Sequence, residues 1–138
     1  MTFDEAHTLI KKGDITSLRR GLDGGVSPNL SNQFSWTLLM LASIEGNTSI
    51  CELLISRGAA LDIKNDFGET PLSLAAHGGH APLIRMLLAN GAPIDCRPHG
   101  HSLEDWVRTA SGLPQDKIAS VLDLLNDTRR LSLRQQEI

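Results

Sequence analysis

Apolar residues along this chain come in short, evenly recurring bursts. The clearest is Thr70-Pro71-Leu72-Ser73-Leu74-Ala75-Ala76. Its threonine oxygen can accept from the amides of a first helical turn, and its proline sits where a missing N–H costs nothing. This pattern predicts a short helix closed by Gly78-Gly79. A second helix is predicted through Pro82-Leu83-Ile84-Arg85-Met86-Leu87-Leu88. Gly91 ends it, because glycine enters the left-handed conformation without a Cβ clash. The predicted unit is therefore helix, turn, helix and hairpin loop.

That unit recurs. Gly13, Gly46 and Gly79 are 33 residues apart, as are Gly25, Gly58 and Gly91. The same interval relates Phe34 to Phe67, Thr37 to Thr70, Ala42 to Ala75, Leu54 to Leu87 and Ala59 to Ala92. Two helices are too thin to bury their own apolar faces, so successive units must stack side by side.

The segment GETPLSLAAHGGH, followed by LL and NGA, resembles the ankyrin repeat, and WTLLMLASIEGN, followed by LL and RGA, is similar to it; together the likeness spans roughly residues 3 to 127. The resemblance implies an all-α ankyrin-repeat solenoid of about four repeats, two of them caps. The units are expected near residues 2–32, 33–65, 66–97 and 98–128. The first carries Lys11, Lys12, Arg19 and Arg20 and opens with Thr2 and Glu5 at capping-box spacing. In the last, Gly100 to Trp106 aligns with Gly68 onward, but Leu124-Leu125 fall five residues late. That offset predicts a lengthened turn near Ser111-Gly112-Leu113-Pro114. Residues 129–138 lose the pattern and are expected to form a flexible extension. Ser35, Leu38 and Met40 stand where the family usually has Gly, Pro and His, and Ser73 replaces the His in the third unit. The polar bracing between units should differ accordingly.

Composition narrows the possibilities. Aromatics make up only 4% of the chain, with no tyrosine, so the core must be aliphatic. A formal net charge of −3 offers no global positive field to gather nucleic acid or anionic lipid. No apolar run approaches the roughly 20 residues that span a bilayer, and the acidic N-terminus lacks the form of a secretory signal. Two cysteines are too few for a disulfide scaffold and are expected to be unbridged, Cys51 buried in a second helix and Cys96 in a hairpin. An intracellular home, cytoplasmic or nuclear, follows as the expectation.

The sequence has no nucleophile elbow, metalloprotease helix or phosphate-cradling glycine loop, so no enzyme activity and no cofactor are expected. His77, His80, His99, His101 and Cys96 lack ligand spacing, and no metal site is expected from them. His80 should bond loop backbone. Arg129-Arg130-Leu131-Ser132 resembles a basophilic kinase site.

The ankyrin resemblance implies that hairpin tips and inner helices form a concave face that binds another protein or peptide. The positions carried over are Gln33, Phe34, Trp36, Ile44 and Glu45 in the second unit, Asp66, Phe67, Glu69 and His77 in the third, and Pro98, His99 and His101 in the cap. Exposed aromatics are frequent anchors of interfaces. The expected ligand is an apolar anchor with a basic flank near Glu45, Asp66 and Glu69. Two other readings stand beside this one. Phe34 and Phe67 could stack their hairpins together, or the aromatics could mediate self-association of an architectural spacer or homodimer.

Overall fold

In a computed structural model, described over residues 1–136, the chain forms eight α-helices. They are α1 (Phe3–Lys12), α2 (Ile15–Asp23), α3 (Leu38–Glu45), α4 (Thr48–Ser56), α5 (Pro71–His77), α6 (Ala81–Ala89), α7 (Leu103–Arg108) and α8 (Gln115–Gln136). A 3-10 turn, Pro98–Gly100, precedes α7. The odd-numbered helices form a row, α1 on α3, α3 on α5 and α5 on α7, and behind it α2 meets α4 and α6 meets α8. One continuous aliphatic core runs between the rows, and Ala42, Ala75 and Ala76 let the front helices approach closely. Among the described residues no helix is long and apolar enough to cross a membrane.

Helices α1 to α7 are short, at six to ten residues each, and a side-chain cap opens every one of them but α6. The hydroxyls of Thr2, Thr37, Thr70 and Ser102 each accept an amide of the first turn of α1, α3, α5 and α7. Ser73 completes the cap of α5. Its Oγ accepts from Thr70 N–H at 2.9 Å and donates to Thr70 C=O at 3.0 Å, completing a capping box.

The residue after each turn glycine reaches back over the glycine of the unit before it. His80 places its ring against Gly46 and Gly78, and its Nε2 lies 3.1 Å from the Ile44 carbonyl, an end of α3 that no helical amide satisfies. Asn47 takes the same place over Gly13, and Leu113 over Gly79. Asn47 also caps α4, whereas the His80 side chain makes no cap bond to its own helix α6.

The hairpins are built on asparagine. Asn32 Oδ1 accepts from the amides of Phe34 and Trp36, both at 3.0 Å, and Asn65 Oδ1 does the same for Phe67 and Glu69. Backbone bonds then tie each tip to the next, from Asp66 N–H to Phe34 C=O at 3.1 Å and from His99 N–H to Phe67 C=O at 2.8 Å. Gly68, at the tip of the second hairpin, has φ +75, and a Cβ there would meet the Arg97 carbonyl oxygen at 2.8 Å. Its counterpart Ser35 also has positive φ, at 63. A left-handed non-glycine costs about 1–2 kcal/mol, part of which glycine's looser unfolded chain returns. Ser35→Gly should therefore raise stability by about 0.5–1 kcal/mol, read as a higher urea midpoint at unchanged slope.

The turn between α7 and α8 is lengthened as expected, covering residues 109–114. Past Asp127 the structure departs from the expectation of a flexible extension, because α8 continues to Gln136. Arg129 secures it. Its Nε donates to Glu104 at 2.6 Å and its Nη1 to Asp95 at 2.8 Å, bracing α8 against α7 and the last hairpin. Burial pushes the Glu104 carboxyl up, but the hydrogen bond and charge of Arg129 outweigh it and hold the group below its usual value. Residues 130–136 are exposed, Ser132 among them. Glu137 and Ile138, the end of the expected extension, lie outside the described residues. Cys51 and Cys96 are both buried and unbridged, and burial pushes the Cys51 thiol up to about 12 against a weaker opposing bond from Ser43.

Candidate partner-binding surface

The first two units enclose a cleft of about 430 Å³. One wall is a stripe of α1, where Asp4, His7 and Lys11 share a helix face at three- and four-residue spacing. The opposite wall is Leu41, Ile44 and Glu45 of α3, and Phe34 and Trp36 project from the hairpin at its end. Buried Ile10 contributes to the lining, and Phe3 stands 33 positions before Trp36. Phe34 is 49% exposed and Ile44 43%, while Trp36 is half-buried with its backbone held by Asn32. Asp66 adjoins through its backbone bond to Phe34. Among the described residues, none of Asp4, Lys11, Glu45 and Asp66 is in an ion pair.

On the other half of the same face the rings pack on one another. Four rings form a column, Phe67 on His99 at 5.5 Å, His99 on Trp106 at 4.8 Å and Trp106 on His77 at 4.3 Å between centroids. Interplanar angles of 12° to 28° make all three contacts stacked. Trp106 Nε1 donates to the Ser73 carbonyl at 3.1 Å, fixing the middle of the column. Burial lowers the His77 pKa, and the charge of His99 adds to this while Glu69 opposes it. His77 is thus held toward its neutral form. Phe67, at the end of the column, stays 50% exposed.

These contacts use rings that the sequence offered separately: in place of the alternative in which Phe34 stacks on Phe67, Phe67 stacks on His99. Glu69 differs from expectation too. It is 7% exposed, accepts from Asn65 Nδ2 at 2.8 Å and faces His99 Nε2 at 3.4 Å, so it braces the hairpin and offers no free charge to a ligand. Pro98 is buried as well, whereas Gln33, Asp66, His99 and His101 are exposed. No group of three His, Cys, Asp or Glu side chains among the described residues is placed to hold a metal ion.

A family model described as ankyrin repeats (3 copies) matches residues 6–98. The chain belongs to the ankyrin repeat family. No curated protein matches it. Ankyrin repeats are in general protein–protein interaction modules. The match covers α2 to α6 and most of α1, so the open cleft lies almost wholly on ankyrin repeats, whereas α7 and α8 fall outside it. Sequence reasoning missed Phe3, Asp4, His7 and Lys11, because the first ankyrin unit read only as a cap. The interval from Phe3 to Trp36 was the available signal. Trp106 was missed because its contact to His77 and its bond to the Ser73 carbonyl cross from one unit to the next.

Proposed function

We propose that this ankyrin stack is a non-enzymatic adaptor or scaffold that binds a partner protein or peptide through the cleft between α1 and α3. The observation that carries the reading is a contrast on one face. Four rings stack on one another in the column, while the apolar side chains of Phe34, Trp36 and Ile44 line an open cleft with no ring stacked on them. Large apolar groups held in water by a rigid hairpin gain by burial against a ligand. An apolar anchor enters between Trp36, Phe34 and Ile44, and a basic residue of the ligand lies near Asp4, Glu45 or Asp66. Gln33, Phe67, His77, His99 and His101 form the outer part of the contact. The reading includes an intracellular, cytoplasmic setting, supported by two unbridged buried cysteines.

Alanine replacement at Trp36, Phe34, Ile44 and Phe67 tests it against a partner recovered on the immobilised chain. Trp36→Ala and Phe34→Ala should each weaken binding about 10- to 100-fold by calorimetry, and Phe67→Ala less, because its ring is already stacked. Unchanged affinity in all four variants rejects the cleft.

A further inference from the structure

The end of α8 has the chemistry of a ligand for the cleft. Arg129 is its last anchored residue, and Leu131 and Leu133 beyond it are each 60% exposed. On a helix Arg130 and Arg134 lie one turn apart, and Leu131, three residues before Arg134, sits on the same arc. This is an apolar side chain flanked by two guanidinium groups. The cleft offers the complement, with Phe34, Trp36 and Ile44 for the leucine and the carboxylates of Asp4, Glu45 and Asp66 against the single ammonium of Lys11.

Resting on the reading of the cleft as a binding site, we infer that it also receives the end of α8 from a second copy of this chain. The free protein then assembles head to tail, and a partner must compete with its own neighbour. The stack forbids the intramolecular version. α8 packs on α6 and α7, while the cleft lies between α1 and α3, with α5 in between. Helices pack 8–10 Å apart, so about 20 Å or more separates the two surfaces, whereas residues 130–136 rise only about 10 Å along their axis. The two surfaces also differ, so the contact is heterologous and leaves a free cleft at one end and a free α8 at the other.

The test is molar mass by light scattering over a dilution series from about 5 to 500 µM. Wild type should rise to at least about twice its dilute mass by mass action, and less so in 0.5 M salt. Leu131→Glu with Leu133→Glu disables the tail, and Phe34→Glu with Ile44→Glu disables the cleft. All four positions are exposed, so far-ultraviolet circular dichroism should match wild type. Each double variant alone should stay monomeric, and an equimolar mixture should form a complex of two chains and no larger. Arg130→Glu with Arg134→Glu should weaken assembly at least tenfold. A wild-type mass independent of concentration, a tail variant that assembles like wild type, or a mixture that stays monomeric overturns the inference. The failures separate. If the tail variant binds partner normally while wild type never assembles, the cleft stands as a binding site without a second copy in it. If the cleft variant binds partner as wild type does, the proposed function falls.

Discussion

Replacing Leu72 with alanine is expected to lower the unfolding free energy by about 3–4 kcal/mol and the melting temperature by on the order of 10 °C. Leu72 lies on α5 and is fully buried. Its helix packs on α3 to one side, on α7 to the other and on α6 behind, so the lost side chain weakens more than one contact of the stack. Stability in such arrays is a sum over neighbouring units, and a defect in an interior unit uncouples the units on both flanks. Urea unfolding followed at 222 nm measures the loss. Phe34→Ala, half-exposed at a hairpin tip, should move the midpoint little. A loss below about 1 kcal/mol for Leu72→Ala would mean that the core collapses around the gap, and that this row is not the closely packed spine described above.

Gly46→Ala should cost about 2–3 kcal/mol, and the matched change Gly13→Ala about 1 kcal/mol. Both glycines end front helices in the left-handed conformation, with φ +69 and +72, so both substitutions meet the same backbone penalty. They differ in what the new Cβ touches. At Gly13 the nearest atom is Asn47 Nδ2 at 3.7 Å, an ordinary contact. At Gly46 the Cβ would come within 2.6 Å of the His80 ring. That ring cannot retreat freely, because Gly78 stands against its Nε2, so the bond to the Ile44 carbonyl must break. Thermal melts of the two variants isolate the contribution of the ring. Equal losses would show that His80 turns aside without consequence and is no clamp between units.

The architecture was readable in the sequence because it depends on positions that tolerate few residue types. Gly13, Gly46 and Gly79 need positive φ, and Thr37 and Thr70 need a short-chain oxygen, so their spacing fixes unit boundaries. The hairpin positions of Phe34 and Phe67 followed from the same interval, and both rings are half-exposed. What escaped was whatever one unit does to another. Glu69 looks like a surface carboxylate until Asn65 and His99 are seen around it, and Trp106 looks like an ordinary cap residue until two imidazoles stack on it. The end of α8 escaped for a different reason. Its last turns carry no apolar period, and they stay helical through residue preference and the Arg129 anchor, whose partners lie 25 and 34 positions earlier in the chain.

The depth at which Cys51 and Cys96 lie has a practical outcome. Electrophilic dyes react with thiolates, and burial both hides these two thiols and pushes them up, Cys51 to about 12, so they supply almost none. A cysteine placed at His101 or Gln33 on the rim would thus be labelled alone, with the two native thiols left in place. A fluorophore installed there could follow the arrival of a ligand at this face without disturbing the packing beneath it.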